Sequence, residues 1–154
     1  MKSALLALPL LASALFAVVP AVSAATSVQA SGSVTSSAPS VTPISAHGDV
    51  AIFDITLTST FTGTLVGTSV VTNRCVEQVS TGEAHCTGPE LFTGTVASRT
   101  GTVQFFDTYF INLHTGAFAG RSTITGGSVD VRGVVDFAGV GPTATYSAML
   151  ELLP

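Results

Sequence analysis

The chain has 154 residues, of which 9% are charged and 46% are hydrophobic, and its single lysine is Lys2. After that lysine, four arginines stand against nine acidic residues, which gives a net charge of −5. Such an acidic surface repels phosphate backbones and anionic membranes, so we expect neither nucleic acid nor, in the mature form, a membrane as a partner.

The first residues have the pattern of a secretory signal peptide. Lys2 supplies a positive charge, residues 4–19 are mostly apolar, and Val22 and Ala24 are the small residues that precede a cleavage site. A membrane anchor is the alternative, but the run is shorter than the ~20 apolar residues that span a bilayer, and Pro20 interrupts it. We therefore predict a signal peptide over residues 1–24 and a secreted, extracellular single domain over residues 25–154.

The mature chain alternates with a period of two, which is typical of β-strands. From Phe53 to Phe61 large or apolar residues occupy most odd positions, and threonine occupies most even ones. Residues 143–152 repeat this alternation, which predicts strands with one buried face and one solvated face. Six more runs read as strands: Ser27–Val34, Leu65–Thr72, Ala84–Val96, Val103–Asn112, Arg121–Thr125 and Val134–Phe137.

Eight short antiparallel strands can close on themselves and leave no free edge. We therefore predict an all-β, eight-stranded antiparallel β-barrel, with a β-sandwich as the alternative. The stretch Thr35–Gly48, which contains Pro39 and Pro43, is predicted to be a loop that crosses one end of the barrel. The echo of Phe61-Thr62-Gly63-Thr64 in residues 92–95 suggests glycines at a β-bulge or where the barrel bends sharply.

Two cysteines, Cys75 and Cys86, flank a turn-like segment at residues 79–82. A hairpin centred between Ser80 and Thr81 places the two cysteines directly opposite each other on paired strands. In an oxidising compartment this spacing predicts a disulfide bond.

Four groups of glycine and core residues stand out: Phe61-x-Gly63-x-Leu65-x-Gly67, Phe92-Thr93-Gly94-Thr95, Gly101-Thr102-Val103, and Gly126-Gly127-Ser128 with Arg132, Gly133, Phe137 and Tyr146. These motifs resemble those of the microbial relatives of plant allene oxide cyclase, and the resemblance extends from Val28 to Leu152. Dirigent proteins share that barrel more distantly. The resemblance implies an eight-stranded antiparallel barrel with a cavity at one end. It also implies chemistry of the kind found in distant members, which steer the cyclisation or coupling of reactive apolar intermediates without a cofactor.

Asp107 is the polar residue of greatest interest. It shares a strand face with Phe105 and Tyr109. If that face points inward, burial raises the pKa of the carboxyl group and suits it to proton transfer or ligand anchoring. If the opposite face, with Phe106 and Phe110, points inward, Asp107 is an ordinary surface acid.

We predict Asp107 and Tyr109 as catalytic candidates on this basis. The three histidines, His47, His85 and His114, fall in predicted loops or hairpin ends without the spacing of metal ligands, so we expect no metal site. No cofactor is expected either. The predicted ligand-binding residues are Phe53, Ile55, Phe105, Asp107, Tyr109 and Tyr146.

The sequence supports three functional hypotheses. The first is a barrel that binds a small, largely apolar molecule. The second is a cofactor-free cyclase or isomerase in which Asp107 and Tyr109 move or stabilise a proton. The third is a secreted protein that acts through its outer surface and has a filled barrel, which predicts that no cavity exists.

Overall fold

The computed structural model describes residues 24–154. The predicted signal peptide, residues 1–24, lies outside the described residues except for Ala24. Among the residues described, no helix has the length and apolar character needed to cross a membrane. These residues form nine strands: β1 Thr26–Ser36, β2 Ser40–His47, β3 Val50–Gly63, β4 Leu65–Gln78, β5 Glu83–Val96, β6 Arg99–Asn112, β7 Ala117–Gly127, β8 Val131–Val140 and β9 Thr143–Leu152.

Eight of these nine strands close into an antiparallel barrel. Strands β3 to β9 pair in chain order, each with the next. Strand β1 closes the circle, because it pairs with β9 along most of its length and with β3 over Gly32–Ser36. Closure removes the free edges that an open sheet would expose. The predicted eight-stranded barrel is thus confirmed, and the alternative of a sandwich is wrong.

The prediction of a loop over Thr35–Gly48 is wrong, because this stretch contains strand β2. Strands β1 and β2 pair with the same edge of β3. Strand β1 pairs with the second half of β3, and β2 pairs with the first half. The pairing register of β2 shifts between Pro43 and Ser45, which marks a β-bulge at Ile44. Within the described part of the chain β2 has a strand neighbour on one side only, so it tolerates a proline, which cannot donate a backbone hydrogen bond.

The two cysteines fix the pairing of β4 with β5. Cys75 lies opposite Cys86, and the two are joined by a disulfide, as predicted. Both are buried, so their side chains point into the barrel. Since neighbouring residues of a strand point to opposite faces, this contact identifies the inward positions of both strands.

The barrel is packed at one end and hollow at the other. The packed end holds the largest fully buried apolar side chains, which lie near the β3–β4, β5–β6 and β7–β8 turns. Phe61 contacts Phe92 edge to face, with ring centroids 5.4 Å apart, and it also contacts Tyr146. A smaller cluster around the disulfide lies towards the opposite end, where it is packed by partly buried Phe53, Ile55, Tyr109 and Ile111.

The glycines of the repeated Phe-Thr-Gly-Thr motif lie where the neighbouring strand leaves no room for a Cβ atom. A Cβ atom on Gly94 would lie 2.7 Å from the Cα atom of Gly67 on β4, and one on Gly63 would lie 2.7 Å from the Cα atom of Gly32 on β1. The pairing of β4 with β5 shows no register shift, so Gly94 serves this close approach rather than a bulge.

Candidate functional site

The hollow end of the barrel contains a cavity of about 520 Å³, which is bordered by the connection between β1 and β2. This volume lies within the range of about 300–1,000 Å³ that is typical of small-molecule sites. Apolar side chains form most of the wall, with the disulfide on one side and Phe61 and Tyr146 at the base. The cavity contradicts the third hypothesis, which required a filled barrel.

A polar row crosses four strands in the middle of the wall. Asp107 on β6 lies opposite Gly88 on β5 and opposite Ser122 on β7. The hydroxyl of Ser122 donates a hydrogen bond of 2.7 Å to Oδ1 of Asp107. From β4, Nδ2 of Asn73 donates a longer bond of 3.3 Å to Oδ2 of the same carboxyl group.

Gly88 makes this arrangement possible because it has no side chain. A Cβ atom at this position would lie 2.6 Å from Oδ1 of Asn73, so any larger residue would displace the amide. Asn73 is only 1% exposed. Its Oδ1 atom accepts no hydrogen bond from any of residues 24–154, although buried polar atoms are nearly always paired.

A second acid, Glu90, lies beside Asp107 on the cavity wall. The two residues are 7% and 3% exposed, respectively. Burial raises the pKa of Glu90 to about 8, and the negative charge of Asp107 acts in the same direction. Burial also raises the pKa of Asp107, although the hydrogen bonds from Ser122 and Asn73 oppose that effect. Two carboxyl groups so close together favour a state in which they share one proton near neutral pH.

The structure decides between the two orientations that the sequence left open for Asp107. The face with Asp107, Phe105 and Tyr109 points inward, whereas Phe106 and Phe110 are exposed on the outer face. Burial raises the pKa of the Tyr109 hydroxyl as well. All six predicted ligand-binding residues line the cavity, and their function stays a prediction: Phe53, Ile55, Phe105, Asp107, Tyr109 and Tyr146.

The sequence reasoning missed Glu90, Asn73 and Ser122. A signal for Glu90 was present, because it lies four residues after Cys86, and residues an even number apart in a strand share a face. Asn73 lies two residues before Cys75 and shares its face for the same reason. Ser122 had no comparable signal, because β7 contains no cysteine to identify its inward face.

The sequence predicted no metal site, because its three histidines lack the spacing of metal ligands. His47 ends β2, His114 lies in the turn after β6, and His85 lies within β5, where its ring packs 4.7 Å from that of Phe110. Among residues 24–154, no three His, Cys, Asp or Glu side chains are grouped as metal ligands would be.

Comparison with solved structures supports the fold. A protein with unknown function from the DUF3224 family of Shewanella oneidensis MR-1 aligns with a TM-score of 0.60 at 18% sequence identity. The alignment covers 84% of this chain and 98% of that one. No family model and no curated protein matches the sequence. The chain is therefore similar in fold to this DUF3224 protein, and the likeness shows a shared barrel alone.

Proposed function

We propose that the chain is a secreted barrel that binds a small, largely apolar molecule in its cavity. The observation that carries this proposal is the cavity itself, which combines about 520 Å³ of space with a mostly apolar wall and one compact polar row. Sites for small molecules commonly have this composition, since the apolar wall provides affinity and a few polar groups fix orientation.

Secretion is supported by the N-terminal pattern and by the disulfide. Cys75 and Cys86 are joined in the folded chain, and such bonds persist mainly in oxidising compartments outside the cytosol. Cleavage after Ala24 would leave β1, which begins at Thr26, complete within the mature domain over residues 25–154.

Binding is tested with Nile red, a neutral lipophilic dye whose fluorescence rises in apolar surroundings. The intact, disulfide-bonded protein is expected to bind the dye saturably, with a stoichiometry of one per chain. The absence of saturable binding both of the dye and of a panel of other neutral lipophilic compounds would contradict the proposal.

A matched pair of variants locates the binding site. Ile55 lines the cavity, whereas its neighbour Thr56 is exposed on the outer face of the same strand. Ile55→Trp fills part of the cavity and is expected to weaken dye binding by at least about tenfold, because the lost space corresponds to several buried methylene groups. Thr56→Trp adds the same ring outside and is expected to leave the dissociation constant unchanged. Equal effects of the two substitutions would place the dye elsewhere.

The acid pair favours a second candidate, a cofactor-free cyclase or isomerase of the kind suggested by the resemblance to allene oxide cyclase relatives. A carboxylic acid that keeps its proton near pH 7 can donate it to a substrate oxygen, and Glu90 with its raised pKa meets this requirement. Asp107 and Tyr109 lie on the same wall, where they would stabilise the charge that develops on the substrate as the proton is transferred.

This activity is tested with an unstable lipophilic epoxide, by measuring the rate of its conversion and the enantiomeric ratio of its products. The wild type is expected to favour one enantiomer, and Glu90→Gln and Asp107→Asn should each slow the reaction by about 100-fold or more. A product mixture identical to that formed in buffer would exclude catalysis on this substrate class.

A further inference from the structure

The two acids in the cavity face no positive charge from the described chain. Lysine, arginine and histidine are absent from the cavity wall formed by these residues. Arg99 instead donates to the backbone carbonyls of Asp130 and Leu153 near the packed end. The other three arginines form ion pairs on the exposed outer face. Arg74 pairs with Asp54, Arg121 pairs with Asp136, and Arg132 pairs with Glu151.

The polar row is also rich in acceptors and poor in free donors. The hydroxyl of Ser122 and the amide nitrogen of Asn73 are already committed to Asp107. Oδ1 of Asn73 is left without a partner among residues 24–154. Of the two acids, the ionised one accepts hydrogen bonds only, and the shared proton is the single donor of the pair. The further donors near the acids are the hydroxyl of Tyr109 on the wall and the buried hydroxyl of Ser69, which lies beside Glu90. A partner that suits this site must therefore bring several donors of its own.

We propose that the cavity binds a protonated amine with an apolar body, and that its ammonium group is held by Glu90, Asp107 and Oδ1 of Asn73. This inference rests on the proposed binding function and names the class of ligand. An ammonium group offers three donors and one positive charge, which match the free acceptors and the uncompensated acids. The apolar body would lie against Phe53, Ile55 and the rest of the apolar wall.

Competing head groups fit this site less well. An alcohol offers one donor and no charge, so it leaves the acids uncompensated. A carboxylate adds a second negative charge beside the acid pair, which already carries one at pH 7, and this is strongly unfavourable in an apolar cavity. An amine must lose its own hydration when it binds. The acids lost theirs when the chain folded, so their desolvation adds no cost to binding.

Binding of an ammonium group should release a proton. With the pKa of Glu90 raised to about 8, the acid pair keeps a proton at pH 7 in the free protein. A neighbouring cation favours the ionised form of both acids, so the pair gives up its proton to solvent as the amine enters. The titratable groups that face the cavity are Glu90 on β5, Asp107 and Tyr109 on β6, and Tyr146 on β9; among the described residues β1, β3, β4, β7 and β8 contribute none.

The proposal is tested with three probes that share one chain, namely n-decylamine, 1-decanol and decanoic acid, each used below the concentration at which it aggregates. Calorimetric titration of the disulfide-bonded protein at pH 7 should show decylamine binding at least about tenfold more tightly than decanol, as charge-assisted hydrogen bonds predict. Decanoic acid should bind more weakly than decanol. Titrations in two buffers with different ionisation enthalpies should show release of up to about one proton for decylamine and none for decanol.

Variants separate the acid pair from the apolar wall. The double variant Glu90→Gln/Asp107→Asn should lose the preference for decylamine over decanol, because both side chains keep their size and lose their charge. Asp136→Asn removes an exposed acid of the outer face and should leave every affinity unchanged. The proton release is measured on the wild type, so it decides the question even if the double variant does not fold.

The possible outcomes separate a failure of the proposed binding function from a failure of the amine specificity. If none of the three probes and no other lipophilic compound binds, the proposed function is wrong, and the inference falls with it. If decanol binds as tightly as decylamine, or decylamine binds without proton release, apolar binding stands and the amine specificity is overturned. If the double variant retains the preference, the acid pair is not its source.

Discussion

Glu90 shows how one side chain acquires its chemistry from its surroundings. The same carboxyl group on the outer face would behave like Glu151, whose pKa is lowered by the hydrogen bond from Arg132. On the inner face, burial and Asp107 raise the pKa of Glu90 to about 8. The residue can therefore hold a proton near neutral pH because water and counterions are excluded from its position.

The raised pKa of Glu90 makes stability depend on pH. Between about pH 5 and pH 8 the folded state keeps a proton that the unfolded chain, with a pKa of 4.5, releases. The free energy of unfolding should therefore be highest at the acid end of this range and fall as pH rises, by up to about 1.4 kcal/mol per pH unit. Urea unfolding at pH 5, 6, 7 and 8 measures this slope.

The control for this measurement is Glu90→Gln, a neutral side chain of the same shape. Its unfolding free energy should fall less steeply with pH than that of the wild type, while Asp136→Asn on the exposed outer face should keep the wild-type slope. Identical slopes in all three proteins would mean that Glu90 is not protonated in the folded state.

Tyr146 has a structural role in addition to its place at the cavity base. Its hydroxyl accepts a hydrogen bond of 2.8 Å from the backbone N–H of Leu65 and donates one of 3.1 Å to the carbonyl of Thr62. Tyr146→Phe leaves a buried N–H without a partner, so we expect a loss of about 1–3 kcal/mol in the free energy of unfolding. Thr145→Val, on the exposed face of the same strand, is the matched control and should change stability little. A loss no larger than in that control would show that water replaces the hydroxyl.

The nine described strands differ in the number of neighbouring strands with which they pair. Strands such as β4 and β5 have a partner on each side, and their inward faces are buried. Among residues 24–154, strand β2 pairs with β3 alone, and all eight of its residues are exposed. Local stability follows from buried contacts and paired backbone groups, so β2 should be the strand that opens most readily.

Hydrogen–deuterium exchange tests this difference. Peptides that cover residues 40–47 should exchange at least about tenfold faster than peptides from the centre of β4, because opening β2 breaks pairing on one side only. β8, which has a partner on each side, is the internal reference and should resemble β4. Equal protection of β2 and β4 would mean that another segment or molecule covers the free edge of β2.

The disulfide connects two elements that are already paired. Cys75 and Cys86 are 11 residues apart, and closing a loop of this size constrains the unfolded chain by about 3 kcal/mol. The variant Cys75→Ala/Cys86→Ala should lose about 2–4 kcal/mol of unfolding free energy, and the wild type measured in reductant should lose a similar amount. A loss in the variant but not in reductant would assign the effect to packing on the cavity wall.

At the scale of the whole molecule, the barrel divides into a packed end that stabilises the fold and a hollow end that presents the candidate site. Large apolar side chains such as Phe92 and Leu150 fill the first, and the acid pair lies in the second. This division lets a domain of modest size keep a cavity, because most of the fully buried apolar volume is concentrated away from it.

The proposed secretion is tested on the full-length chain in a secreting host. Protein recovered from the medium should lack residues 1–24 and should weigh less than its reduced form by two hydrogens, since Cys75 and Cys86 are joined. Intact-mass spectrometry before and after reduction reads both features. Replacing Ala24 with a bulky residue should impair cleavage, and retention of the unprocessed wild type inside the cell would contradict the proposal.

Much of the architecture could be predicted because it depends on local patterns. Alternation with a period of two identified strands such as Phe53–Phe61, and the spacing of Cys75 and Cys86 predicted both their pairing and the hairpin that joins them. Strand β2 was missed because prolines normally indicate a loop, and only its single strand neighbour makes them acceptable.

Local patterns in the sequence were therefore enough to predict which residues form most of the strands and which of them share a face. They did not determine which face of β6 is the inner one, nor that Glu90, Asp107 and Asn73 meet across three strands. Those facts follow from the pairing register around the closed barrel, which depends on contacts between residues far apart in the chain. The shift in the pKa of Glu90 arises only there, because it requires an apolar enclosure and a neighbouring acid that β5 alone does not contain.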